Sequence, residues 1–427
     1  MYTLDGHTLD LLGETGQRVL ADIHRDPARR PGCACNPSED GGVPMYVARI
    51  GDRYYLKRMP GTGPEHAPGC GSWSPPAELS GLAPLLGSAI HQDPEGGTTG
   101  LDLGFALTRN PARAAAGARG DRTDTDEGTG ASSRLSLRGV LHYLWDEAGL
   151  TRWTPALSGK RHWGMIRARL LQAADSAVAK GRPLTDYLYI PETFSSTRKP
   201  EIAGRRTIAL HRLSSSARSR RLMLVIGEVK DIRAARFEQH VVIVKHLPDF
   251  PILIDGDLHT QMRARFATEL ALRQAIADSH LVLIGTFTLS PAGVAVADQV
   301  ALMSLSADWI PFESISEHTL LEILAAQGRR YIKSLRYLTP AAASLASVVL
   351  SDTDPPTACY LTDTHQEEPA DPGIPQWIWN ISTDLRLPPL PPATGRLTTD
   401  RQHRPRVDRG VSPNHADGEG GCRETRH

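Results

Sequence analysis

The chain has 427 residues, enough for two or three domains at roughly 150 residues each. Its 48 basic and 48 acidic side chains cancel, so whole-chain charge gives no argument for a nucleic acid, a membrane surface or an acidic substrate, and any such argument must be local. With 38 Gly, 32 Pro and only 6% aromatic residues, the composition predicts a globular body interrupted by unstructured segments.

The opening stretch MYTLDGHTLDLLGETG lacks a basic start followed by an apolar run, and no segment approaches the roughly 18 apolar residues of a membrane span. The expectation is a cytoplasmic protein with no membrane partner. Five cysteines, three of them between positions 33 and 70, fit reduced thiols and metal ligation better than a paired disulfide framework.

Residues 8–24 place Leu9, Leu12, Val19, Leu20 and Ile23 at helical spacing, with Gly13 and Gly16 working against the helix. Next, MYVARI and RYYLKR flank Gly51-Asp52, the pattern of a two-residue hairpin with glycine in first place. If Ile50 faces Arg53, extending that register past the strands sets Cys35 opposite Pro68, midway between His66 and Cys70. Cys33, Cys35, His66 and Cys70 therefore converge at one end of the hairpin. Three thiolates and one imidazole make a complete tetrahedral zinc set, structural because no ligand position is left for water. The competing reading is three free thiols and a surface histidine.

Apolar material resumes over residues 79–107, and residues 1–108 are read as one zinc-hairpin unit. Residues 109–134 carry almost no large apolar side chain and are expected to form a disordered linker. Beyond it, Leu137, Val140, Leu141, Leu144 and Trp145 mark an amphipathic helix, and Trp163, Ile166, Leu170 and Leu171 a second from about residue 160. The ten-residue connection, with a proline inside, is too long for a helix-turn-helix. YLYI, TIALHRL, RLMLVIGEV, HVVIVKH and PILI then read as an antiparallel meander.

Residues 257–278 return to helical periodicity. HLVLIGTFTL and VAVADQVALMSL form a hairpin around Ser290-Pro291-Ala292-Gly293, and Ser314 with Glu317 has the spacing of a capping box before a last helix. Strand-like material ends near Tyr360, and residues 363–427, apart from the Trp377–Trp379 patch, read as a disordered tail. The fold class is α+β: a small zinc-bearing hairpin unit, a linker, and a domain over 135–362 of mainly antiparallel strands with packed helices.

The stretch from Cys33 to Trp73, centred on YLKRMPGTGPEHAPGC, resembles the start of the domain of unknown function numbered eleven seventy-three. The resemblance continues through LRGVLHYLWDEAGL, GKRHWG, LVIGEVKDI, VKHLPDF, GTF, WIPFES and SLRYL, covering most of residues 30–362. It implies a bacterial family met on plasmids and integrative elements, with no assigned activity. No catalytic residue is carried over.

Two local features suggest chemistry. Residues 196–221 hold eight Lys or Arg against one acidic residue, and Arg205, Arg206, Arg220 and Arg221, with Arg161 and Arg167 of the preceding helix, compose a candidate surface for DNA or RNA. The bland reading is a solvated basic loop balanced by carboxylates elsewhere. Glu228 and Lys230, alternating at the end of LMLVIG, resemble the E-x-K element of PD-(D/E)xK nucleases, in which carboxylates hold Mg2+. The upstream acid is incomplete, with only Asp186, Glu192 or Glu201 to supply it. The alternative is an exposed strand face on which Glu228 meets a cross-strand partner such as Lys245. Sequence reasoning thus leaves a non-catalytic nucleic-acid-associated protein, a Mg-dependent nuclease and a protein–protein adaptor.

Overall fold

A computed structural model describes residues 1–394, apart from 12, 27, 37–41, 110–133, 215–219, 338–344, 364–372 and 385. Nearly all of the expected linker and most of the expected tail lie outside the described residues. Residues Met1–Ala393 make one compact unit. The fold is α+β, with eight α-helices among the described residues and mostly antiparallel sheets.

The amino-terminal sheet has five strands in the order His7–Thr8, Tyr2–Leu4, Gly32–Cys33, Val43–Ile50 and Arg53–Arg58. The predicted hairpin forms in the predicted register, Ile50 opposite Arg53 and Met45 opposite Arg58, with Gly51 at a φ of 59° that favours glycine. Helix Gly13–His24 lays Leu20 and Ile23 against Val47. Its Gln17 works as a surrogate strand, accepting from the Tyr54 N–H at 2.9 Å and donating to the Tyr54 carbonyl at 3.0 Å.

A four-stranded sheet joins the two flanks of the linker. Thr98–Leu101 pairs antiparallel with Ile90–Asp93 and parallel with Ala177–Ala179. One core cluster runs from Leu85, Ile90, Leu101 and Leu107 through helix Leu137–Glu147 to the strands beyond residue 223. The boundary expected at 109–134 therefore crosses a shared sheet and a shared core.

The largest sheet closes on itself. Met223–Ala234 pairs with His240–Val244 and with His280–Leu289; His240–Val244 continues to Leu247–Ile254. Ala295–Leu305 pairs antiparallel with His280–Leu289 and parallel with Leu247–Ile254, so five strands complete a ring. Met223 through Val229 are all buried, as expected of a strand with a packed interior on one side and helices on the other. Closure removes the exposed edges that an apolar run such as MLVIG would otherwise offer to another chain.

Four of the five expected meander strands form. TIALHRL does not: it is the end of helix Lys199–Leu210 and the short turn His211–Ser214. Its apolar positions continue the spacing set by Ile202, with Leu210 and Leu213 buried, and a short apolar run does not by itself distinguish the two states. Ser314 caps helix Ile315–Ala326, its Oγ accepting from the Glu317 N–H at 3.1 Å. The Glu317 carboxylate accepts instead from the Glu313 N–H at 2.7 Å and pairs with Lys333 at 2.9 Å.

A final sheet orders Arg152–Trp153, Tyr331–Lys333, Val348–Leu350, Thr357–Thr362 and Gln376–Asn380. The last strand contains the Trp377–Trp379 patch. Both indoles are buried and donate to carbonyls, Trp377 to Pro389 at 2.9 Å and Trp379 to Asp384 at 3.0 Å. This part of the expected tail belongs to the fold.

Candidate metal centre and a buried carboxylate

The ligand atoms of Cys33, Cys35, His66 and Cys70 all lie within 4.8 Å of one another. They meet by a route different from straight extension of the hairpin. Strand Gly32–Cys33 turns back to pair with Pro44 and Val43, which brings Cys33 to the foot of the hairpin. Gly42 makes that return possible: at φ 102°, a Cβ on it would sit 2.5 Å from the Cys33 carbonyl oxygen. On the other side, the turn Gly63–Glu65 delivers His66, and the Cys70 N–H donates to the Ala67 carbonyl at 2.8 Å.

Within the cluster, Cys33 Sγ is 3.7 Å from Cys70 Sγ, too far for a disulfide. His66 Nδ1 lies 3.3 Å from Cys35 Sγ and 3.9 Å from Cys70 Sγ. Backbone N–H groups of Ala67 and Ser72 donate to the Cys35 and Cys70 sulfurs, both at 3.4 Å, as suits thiolates. Burial pushes the Cys33 thiol up to about 12. Burial lowers the His66 pKa, keeping the imidazole neutral and able to ligate. The four residues could hold one metal ion.

The centre is tied to the body through Trp73, three residues past Cys70. Trp73 is buried among Leu79, Ile332, Val349, Ala358 and Tyr360, and its carbonyl accepts from Arg152.

The second feature surrounds Glu228, which is only 4% exposed. Its Oε1 accepts from Lys245 Nζ at 2.9 Å and from His280 Nδ1 at 2.8 Å. His246 Nδ1 accepts from the Phe194 N–H at 3.3 Å, so its Nε2 carries the proton and faces Glu228 Oε2 at 3.9 Å. Oε2 makes no hydrogen bond among the described residues. Burial opposes the carboxylate charge, yet the His280 and Lys245 bonds outweigh it and hold the Glu228 pKa below its usual range. Burial lowers the His246 pKa as well. Two indoles wall the cluster, Trp309 stacked on His280 at 3.9 Å and Trp163 on His246 at 5.4 Å; Trp309 sits at φ 61°.

Glu228 thus meets Lys245 across the strands, with two histidines the sequence did not single out for it. Their signal was the strand register: Val282 faces Glu228, which sets His280 on the diagonal. Lys230 is not on the same face. The register slips between Val229 and Asp231, making Lys230 the extra residue of a bulge, and it is exposed while Glu228 is buried. Asp186 and Glu192 are held elsewhere, by Arg212 at 2.9 Å and Arg205 at 2.7 Å, and Glu201 is exposed on helix Lys199–Leu210.

The six arginines are not presented alike. Arg161 is buried, donating to the carbonyls of Leu150, Asp308 and Arg152, and burial pulls its pKa down to about 10. Arg167 donates to the Ile190 carbonyl at 3.0 Å. Arg205 grips both oxygens of Glu192, and Arg206 both oxygens of Asp249 while lying over the Phe250 ring. Arg221 is exposed in a short strand paired with Thr108–Arg109; the side chain of Arg220 lies outside the described residues.

No helix among the described residues is long and apolar enough to cross a membrane. A search of curated proteins found no match to this chain. The family described as protein of unknown function DUF1173 matches residues 2–382, and the chain belongs to that family.

Proposed function

We propose that Cys33, Cys35, His66 and Cys70 bind one structural zinc ion, and that the body it braces is a non-catalytic, nucleic-acid-associated protein. The observation that carries the zinc assignment is the spacing of the donors. A tetrahedral zinc with bonds of about 2.3 Å to sulfur and about 2.05 Å to nitrogen has S···S edges of about 3.8 Å and S···N edges of about 3.6 Å. Three of the six edges, an S···S distance of 3.7 Å and S···N distances of 3.3 and 3.9 Å, lie close to that figure, and all six are within 4.8 Å. Four protein ligands leave no position for a reacting water, so the ion staples the strand Gly32–Cys33 to the His66–Cys70 turn.

The nucleic-acid reading is supported by the basic excess over residues 196–221, narrowed to the cations that carboxylates do not claim, with Arg221 foremost. The surroundings of Glu228 favour binding over nuclease chemistry. Its neighbours are Lys245, His246 and His280, which supply one cation and two imidazoles and not the acids a Mg2+ ion requires.

Elemental analysis of the purified chain tests the metal, with one zinc per chain expected and a folded, metal-free protein overturning the assignment. Labelled single- and double-stranded DNA, incubated with and without Mg2+, tests the rest. Salt-sensitive shifting without cleavage is expected. Mg-dependent cutting that disappears in Glu228→Ala would establish a nuclease instead, and no binding at moderate salt would remove both readings.

A further inference from the structure

The bulge that turns Lys230 away from Glu228 directs it to a cavity of about 310 Å3, walled also by helices Gly256–Arg265 and Ala267–Ala275. Its floor is apolar, built from Met262, Leu270 and Leu281. Its polar wall carries Lys230, Arg263 and Arg273 against a single acid, Asp231. No carboxylate pairs with any of these three cations among the described residues, in contrast to Arg205 and Arg206. Arg273 Nη2 donates to the Lys230 carbonyl at 3.2 Å, which fixes one cation beside the backbone of another.

Three cations line one cavity with a single acid beside them, and an anion entering it relieves the excess of like charge. Lys230, Arg263 and Arg273 less Asp231 leave two positive charges. His259, also on the wall, adds none at neutral pH, because burial and then His240 and Arg263 lower its pKa. A phosphate monoester carries about −1.5 to −2 near pH 7, matching that excess where a lone carboxylate would leave a charge over. Guanidinium forks are suited to phosphate oxygens, and the His259 ring, stacked on His240 at 3.4 Å, offers a flat surface beside them. The volume stands at the lower end of the ~300–1,000 Å3 range of ligand pockets, so one phosphate and one ring-sized apolar group fill it.

We propose that the cavity bounded by Lys230, Arg263, Arg273 and His259 binds a small phosphate monoester of nucleotide size. The proposal depends on neither the zinc assignment nor the nucleic-acid reading. Calorimetric titration of the full chain with AMP, adenosine, inorganic phosphate and a single-stranded oligonucleotide tests it. AMP should bind saturably, phosphate at least tenfold more weakly, and adenosine not measurably. Arg263→Gln, at an exposed helix position, should weaken AMP at least tenfold with an unchanged melting temperature, and Lys230→Gln should do the same. Equal binding of AMP and adenosine, or unaltered AMP affinity in both variants, would overturn the assignment. So would binding of the oligonucleotide alone, which would assign the cations to a nucleic-acid backbone.

Discussion

The metal centre and the arginine set were both read from local clusters of side chains, yet the fold treats them in opposite ways. Cys33, Cys35, His66 and Cys70 are drawn together until their ligand atoms lie within 4.8 Å of one another. The arginines are dispersed among separate partners: carbonyls around Arg161, Glu192 for Arg205, Asp249 for Arg206. Ligand chemistry demands a specific set of atoms at one point, so residues of that kind flanking a short hairpin strongly constrain where they meet. A count of charges imposes no such demand. Any carboxylate, however distant in sequence, can neutralise an arginine, and Asp249 lies 43 residues from Arg206.

The largest effect expected from this contrast is at the Cys33, Cys35, His66 and Cys70 cluster. With the proposed zinc bound, Cys35→Ser should cost on the order of 4–5 kcal/mol, because losing a structural ion removes folding free energy directly. Thermal melts with and without a strong chelator check this: the wild type should lose stability on chelation, and the variant should start low and change little. Next comes Arg161→Ala, which strands the carbonyls of Leu150, Arg152 and Asp308 and should cost about 3 kcal/mol. Denaturant unfolding measures it. An Arg161 variant that weakens DNA binding with stability intact would return this residue to the nucleic-acid surface.

Glu228 falls between the two classes, a buried charge held by Lys245 and His280. Its folded pKa is depressed, so its contribution to stability is fully present above the unfolded value near 4.5 and fades as pH falls through the lower folded value. Glu228→Gln should therefore lose about 1–2 kcal/mol near neutrality, discounted because Lys245 is half exposed, and should flatten the stability profile below pH 4.5. Parallel acid titrations of wild type and variant, followed by denaturant midpoint, read the difference. Identical slopes would mean that folding leaves the Glu228 pKa unshifted, so that the His280 and Lys245 bonds add no pH-dependent stability.

How legible each part was follows from the range of the forces involved. The Gly51-Asp52 register, the Ser290 to Gly293 hairpin and the Ser314 cap were readable because each is decided within a few residues. TIALHRL was misread because a short apolar run fits a strand or a helix, and Ile202, five residues earlier, decides it. The ring closure was invisible: it depends on Leu247–Ile254 meeting Ala295–Leu305 across more than forty residues. The same closure supplies His280 to Glu228, and one inserted residue at Lys230 undoes the alternation on which the nuclease-like pair rested. Trp377 and Trp379 looked isolated because their sheet partner, Thr357–Thr362, lies on the far side of a polar stretch.

The smallest effect separates the arginines from one another. Arg205 spends its fork on both oxygens of Glu192, whereas exposed Arg221 has no side-chain partner among the described residues. A cation that releases a counterion on binding DNA contributes about 0.9 to the slope of log K against log salt concentration. A cation held by a carboxylate neutralises no phosphate and so displaces almost none of the cations condensed on the DNA. Arg221→Gln should accordingly reduce the slope by about 0.9, while Arg205→Gln leaves it unchanged. Fluorescence anisotropy with a short duplex at several salt concentrations resolves a difference of that size. If Arg205→Gln lowers the slope as much as Arg221→Gln, the Glu192 pair opens on binding, and a paired arginine at this surface is a reserve of positive charge held for the nucleic acid.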